Sequence, residues 1–232
     1  MKFNRYQSTG GKQPIFVDRK NEADRIVRAI KRKHNVIVMG KYGIGRTSLI
    51  KYIADQAHDQ WHFVFADFSK TPVKVCDQLL ADLWPEKRRR EGGRYRRYKS
   101  GRFLIAQLAK NNKRPMVIVL DNIVKLSPQK IALIRYLSLE KHFLFIAITE
   151  AFIPKNDLFL LRAQLIPVEL VQLQHLDMES SCNLLAQFSK RYRFNWTERD
   201  IRMLAEITGG YPFGMKELLK RTLERSPLES DL

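Results

Sequence analysis

Short, almost unbroken apolar runs alternate with stretches whose apolar residues recur every three or four positions, and this alternation persists to about residue 173. The runs at residues 36–39, 61–68, 116–120 and 143–148 predict strands buried on both faces, and residues 168–173 predict a last one. The intervening spacing predicts helices. The first is capped by Asp18 or Asn21, runs to about Lys33 and carries Ile26, Val27 and Ile30 on one face. Others carry Leu49, Ile50, Ile53 and Ala54, or span residues 73–83 behind Pro72 and residues 103–109. Ser127 and Pro128 supply an N-cap and a first-turn proline for a helix through Leu139. Beyond Leu173 only helical periodicity remains: residues 178–192, a helix from Thr197, and one after Gly209-Gly210-Tyr211-Pro212 carrying Met215, Leu218, Leu219 and Leu223. The expected fold is α/β, a parallel sheet covered by helices, followed by a small helical lid. The boundaries are an N-terminal arm at 1–14, an α/β core at 15–173 with an insert at 86–102, and the lid at 174–232.

Between the run at 36–39 and the helix of Leu49 lies Gly40-Lys41-Tyr42-Gly43-Ile44-Gly45-Arg46-Thr47, followed by Ser48. This is G-x-x-x-x-G-K-[ST] spacing with Arg46 in the lysine's place. Glycines let backbone amides close around phosphate, the helix start faces the anion with its positive dipole end, and the Thr47 hydroxyl is a magnesium ligand. The motif therefore predicts binding of ATP or ADP with Mg²⁺ by Gly40, Lys41, Tyr42, Gly43, Ile44, Gly45, Arg46, Thr47 and Ser48. Arg46 keeps the positive charge but, being planar and larger, does not place it where an ammonium would. About 75 residues later the run at 116–120 ends in Asp121, the acid that holds magnesium, usually through water.

With these two motifs in this order the chain resembles the AAA+ and STAND branch of P-loop ATPases, over roughly residues 14–224. In that branch the strand acid is usually followed by a second acid that polarises water. Here Asn122 follows, and an amide is no base; Glu150, after the next strand, is a substitute. The resemblance implies further roles. Phe16 and Arg19, in Phe16-Val17-Asp18-Arg19-Lys20-Asn21-Glu22, match F-x-x-R-x-x-E and lie beside the adenine. Thr149 is the sensor-1 residue facing the γ-phosphate or water. Pro212, in Gly210-Tyr211-Pro212, matches the lid's G-x-P motif and packs by the base. Arg162 stands where an arginine finger reaches a neighbouring subunit. No sensor-2 arginine is evident, and Lys216 is the nearest cation.

Charge adds a partner. The net charge is +18, and Lys87, Arg88, Arg89, Arg90, Arg94, Arg96, Arg97, Lys99 and Arg102 stand against Glu91 alone in residues 87–102. Residues 1–60 hold 13 basic and five acidic residues, and the rest of the chain is almost balanced. A field concentrated this way attracts polyanions, and the interleaved Tyr95 and Tyr98 suit occasional stacking on bases. With no helix-turn-helix after the lid, the expected contact is double-stranded DNA read without sequence preference.

Other function classes recede. No run approaches the length of a membrane span, and residues 1–14 lack a secretory apolar region, so a cytoplasmic protein is expected. Cys76 and Cys182 read as buried thiols in a reducing compartment, and His58 and His62 as packing residues rather than a zinc site. The expected function is an ATP-binding, DNA-associated AAA+-like ATPase, resembling the initiator and transposition-regulator group. Its hydrolysis is weak or partner-dependent, it forms a homo-oligomer, and a protein partner is possible. The rivals are a STAND-like signalling switch and an inactive pseudo-ATPase module, the latter favoured by Arg46 and Asn122.

Overall fold

A computed structural model describes residues 19–84 and 98–225. Five strands, β1 (Asn35–Gly40), β2 (His62–Asp67), β3 (Met116–Ile123), β4 (Phe143–Glu150) and β5 (Val168–Gln172), form one sheet in the order β2-β3-β4-β1-β5. Every pairing in it is parallel. Val36, Ile37 and Val38 are all fully buried, and since successive side chains of a strand point to opposite faces, both faces of β1 are covered. Helices α1 (Lys20–Lys31) and α2 (Arg46–Gln56) pack on each other and on β1, and α1 also reaches β5. Helices α3 (Pro72–Leu83), α4 (Tyr98–Lys110) and α5 (Pro128–Leu139) form a second group, which lies on β2 and β4, and α6 (Lys155–Gln164) packs on α5.

The elements match the periodicity, with local corrections. Helix α1 begins at Lys20, with Arg19 at the N-cap position and no side chain capping it, instead of starting from an Asp18 or Asn21 cap. Ser127 does cap α5, its Oγ accepting from Lys130 N. Helix α4 begins at Tyr98, five residues before the apolar stripe, inside the stretch read as a basic insert. At Gly101 the helix runs close to α3, since a Cβ there would stand 3.3 Å from Cys76 Cβ. Cys76 is buried, and burial pushes its thiol up to about 12. Cys182 is only partly buried and His58 is exposed, contrary to their reading as interior groups. His62 is half-buried, its pKa lowered chiefly by burial and also by Arg114.

Strand β1 begins one residue earlier than its apolar run, at Asn35, and this polar residue is itself buried. Its side-chain amide donates to Leu165 O at 2.9 Å and its Oδ1 accepts from Phe145 N at 2.8 Å, while its backbone N donates to Pro167 O at 2.9 Å. One side chain thus ties β4 to the end of α6.

A second compact unit begins at Leu176, the first ending at His175. Its helices are α7 (Met178–Tyr192), α8 (Glu198–Thr208) and α9 (Pro212–Arg225), around Leu184, Leu185, Phe188, Ala205, Met215 and Leu219. Thr197 and Asp200 form a capping box at the start of α8. Gly210 has φ +72, and a Cβ on it would fall 2.0 Å from Leu176 O, so the Gly-Gly-Tyr-Pro run has a packing reason inside this unit.

Replacing Asn35 with Ala leaves a carbonyl and an amide buried without partners, each worth about 1–3 kcal/mol. A loss of roughly 2–4 kcal/mol is expected, read as a lower urea midpoint at unchanged slope.

Candidate nucleotide-binding site

Parallel strands deliver β1, β3 and β4 to one edge of the sheet, where the phosphate loop leaves Gly40. The loop needs its glycines for geometric reasons. A Cβ at Gly40 would stand 2.7 Å from Ile44 Cγ2. Gly43 and Gly45 have φ of +70 and +102, a region that side chains disfavour. Gly45 is the N-cap of α2 and no side chain caps that helix end. The amides of Arg46, Thr47 and Ser48 are those a helix start leaves without intrahelical acceptors, and they carry the positive end of its dipole. Lys41 and Tyr42 are exposed on the loop, and Ser48 is exposed in the first turn of α2.

Beneath the loop, Thr47 Oγ1 donates to Asp121 Oδ1 at 3.0 Å, joining the two motifs. Burial raises the Asp121 pKa, partly opposed by hydrogen bonds from Asn122 N and Thr47 and by the charges of Lys51 and Arg46. Strand β3 does not stop at Leu120 as its apolar run suggests. It continues through a bulge to Ile123: Leu120 pairs with Ala147 and Ile123 with Thr149, so three steps on β3 meet two on β4. Asn122 sits in that bulge at φ +59. Its N–H donates to Asp121 Oδ1 at 2.9 Å and its side-chain amide to Asp67 Oδ1 at 3.3 Å.

Arg46 lies partly buried, and its guanidinium donates to the Thr149 carbonyl and to Glu150 Oε1. Glu150, read from the sequence as a substitute base, is therefore the partner of the phosphate-loop arginine. Thr149, the sensor-1 candidate, is 1% exposed, and its Oγ1 has no hydrogen-bond partner among the described residues. A buried hydroxyl left unpaired costs free energy unless a ligand completes it. That orphan, the uncapped helix start and the hard-oxygen pair Thr47–Asp121 fit a nucleotide phosphate with Mg²⁺.

Arg19 is 5% exposed and works from below the loop, donating to Ile44 O at 3.0 Å, Gln174 O at 2.8 Å and Glu22 Oε1 at 3.1 Å. Burial lowers its pKa, with the Glu22 charge acting against this. This bracing was not legible in the motif that singled Arg19 out. Arg162 is exposed on α6. Arg102, counted among the DNA cations, stacks on the Tyr136 ring with its guanidinium carbon 4.3 Å from the centroid. Lys99 lies in α4. Phe16, Lys87, Arg88, Arg89, Arg90, Arg94, Arg96 and Arg97 lie outside the described residues, and Pro212 opens α9 in the second unit. Asp67 was missed, although β2, like the apolar part of β3, ends in an aspartate.

A phosphate loop on β1, an acid on β3 and this strand order define a P-loop ATPase of the AAA+ class. The AAA ATPase domain family matches residues 15–146, more than half of the chain, and the chain belongs to that family. No curated protein matches it. Among solved structures it is similar to Cdc6p from Pyrobaculum aerophilum, with a TM-score of 0.68 and 14% identity over 94% of this chain and 63% of that one. It is also similar to the Aeropyrum pernix Orc1 protein in complex with DNA, with a TM-score of 0.62 and 12% identity over 91% and 66%. A third likeness is a Signal Transduction ATPase with Numerous Domains from Pyrococcus horikoshii, with a TM-score of 0.54 and 22% identity over 90% and 30%. The chain thus spans less than two thirds of each of these proteins. Among the described residues, no helix is long and apolar enough to cross a membrane.

The buried Asp121 gives a pH test. A carboxyl with a raised folded pKa favours the folded state below its unfolded value, and that contribution is lost as pH rises through the folded pKa. Asp121→Asn should therefore raise Tm at neutral pH, and the gain should vanish on acidification below about pH 4, the ordinary carboxylate range.

Proposed function

We propose that this AAA-family ATPase binds ATP with Mg²⁺ and acts as a nucleotide-gated assembly or regulator on double-stranded DNA, hydrolysing slowly unless a partner assists. The observation carrying this is the Thr47–Asp121 hydrogen bond beneath a loop whose glycines and uncapped helix are shaped for phosphate. Thr47 and Asp121 would hold the metal, whose chemistry is to neutralise charge on the phosphates. Thr149 would turn its unpaired hydroxyl to the terminal phosphate or water. Slow hydrolysis follows from two features. Arg46 is engaged by Glu150 and must be released to reach phosphate, and the residue after Asp121 is an amide.

DNA association rests on the basic segment 87–102 and the basic first 60 residues. It is in keeping with a solved likeness, Orc1, that was captured with DNA. The exposed Arg162 and the role of Pro212 by the base belong to the same reading, in which a homo-oligomer forms across the nucleotide. A STAND-like switch or an inactive module is the alternative, supported by the Pyrococcus horikoshii likeness and by the Arg46–Glu150 pair respectively.

Calorimetry in magnesium should detect ATP and ADP binding to the full chain, and its absence would sink the reading. Wild type should turn over slowly. Arg46→Lys with Asn122→Glu should accelerate it by about 10²-fold or more, the ordinary worth of a placed base. Brisk turnover by wild type alone contradicts the weak-hydrolysis part.

For DNA, the log–log salt dependence of duplex binding should have a slope of roughly −4 to −5 if about five cations reach phosphates. Changing Arg88, Arg89, Arg90, Arg94, Arg96 and Arg97 to Ser should flatten that slope on unrelated sequences while nucleotide binding survives. Indifference of wild type to duplex at low salt favours the signalling alternative.

A further inference from the structure

The carboxylate missing from position 122 has a counterpart one strand away. Asp67 ends β2 in direct register with Asp121, on the same edge of the sheet as the phosphate loop. The two strands present an acid and an amide in linked positions: Asp121 accepts from Asn122 N, and the Asn122 side chain donates to Asp67 Oδ1 at 3.3 Å. A continuous chain of hydrogen bonds therefore runs from Thr47 through Asp121 and Asn122 to Asp67. The bulge that puts Asn122 at φ +59 aims its amide sideways at β2, a use to which bulges near functional sites are put.

We propose that Asp67 is the catalytic carboxylate of this ATPase, holding the attacking water, with Asn122 as its positioning residue. The inference rests on the ATPase reading above. In the step, a water oxygen bonds to the terminal phosphorus of ATP as the bond from that phosphorus to the ADP oxygen breaks. Asp67 takes the water proton and then releases it to solvent, so that ATP and water give ADP, phosphate and a proton.

The surroundings of Asp67 suit the role. Its side chain is 11% exposed, yet burial, which would raise its pKa, is outweighed by hydrogen bonds from Ser69 and Asn122 and by the Lys70 charge. It is therefore ionised at neutral pH. Its second oxygen, Oδ2, faces Lys70 Nζ at 3.5 Å, and its backbone is held by Gln78, whose Oε1 accepts from Asp67 N at 3.0 Å. Lys130 lies near enough to feel its charge while donating to Phe68 O at 2.5 Å. The rival acid, Glu150, is occupied by Arg46. An aspartate on the neighbouring strand that already serves Ser69, Asn122 and Lys70 is a restrained base, in accord with slow turnover.

The test compares wild type, Asp67→Asn and Asp67→Asn/Asn122→Glu, each as the full chain, by ATP and ADP calorimetry in magnesium and by turnover with and without duplex DNA. Asparagine keeps the shape of Asp67 and one acceptor oxygen for Ser69 and Asn122 while removing the charge that faces Lys70, and far-UV circular dichroism verifies folding. Asp67→Asn is expected to lose about 10²-fold in turnover or more. It should also bind ATP several-fold more tightly relative to ADP, since a carboxylate facing the terminal phosphate has gone. The double variant should recover turnover, because the carboxylate is back beside Asp121. Asp67→Asn turning over like wild type overturns the proposal. So does an unchanged ATP-to-ADP affinity ratio, a double variant as inert as the single one, or wild type that binds ATP without ever hydrolysing it. Those results leave nucleotide binding standing, whereas no binding by wild type removes the underlying reading as well.

Discussion

All five strands run in one direction, so the loops that leave their carboxyl ends must gather along one edge of the sheet. Gly40, Asp67, Asp121 and Thr149 are distant in sequence, yet each lies within two residues of the end of its strand, and hydrogen bonding of the sheet sets them side by side. The hydrophobic interior is what enforces this. Ile37, Ile118 and Ala147 are fully buried in one continuous core, so a slip in register would turn an apolar strand face into solvent or into the wrong layer. The site inherits its precision from packing that never touches a ligand.

Polar groups inside the fold stiffen what the sheet positions. Asn35 joins β4 to the end of α6, and Arg19 fastens the phosphate loop at Ile44 to the segment after β5 at Gln174. Both are satisfied on several sides, the condition under which a buried polar group orders a structure instead of weakening it. Thr149 departs from this pattern: its hydroxyl is buried and, among the described residues, unpaired beside the loop, in the place where a ligand rather than the protein would complete it.

Much of this was legible in the chain. The five apolar runs, the glycine spacing and Asp121 were enough for a P-loop α/β core, since buried parallel strands and phosphate loops both leave strong local signatures. What could not be read depended on neighbours. The apolar run of β3 ends at Leu120, and nothing local says that the strand passes through a bulge, because β4 determines the mismatch. The start of α4 was hidden by charged residues that read as a basic insert, whereas its close approach to α3 at Gly101 depends on a partner helix far off in sequence. Arg46 and Glu150 are over a hundred residues apart, so their pairing appears only once β1 and β4 are neighbours.

That pairing gives the arginine of the phosphate loop a counter-ion from within the chain. A carboxylate tethered beside the guanidinium competes at a high effective concentration with anything arriving from solution. A lone sulfate or inorganic phosphate offers little beyond charge and must displace Glu150 with that alone. A nucleotide polyphosphate would set several anionic groups and its metal against the open amides of α2, Thr47 and Asp121 at once, and could replace the tethered group on combined contacts. On the ATPase reading proposed above, the Arg46–Glu150 pair would work as a selectivity filter, turning away small anions and yielding to the polyphosphate for which the loop is shaped.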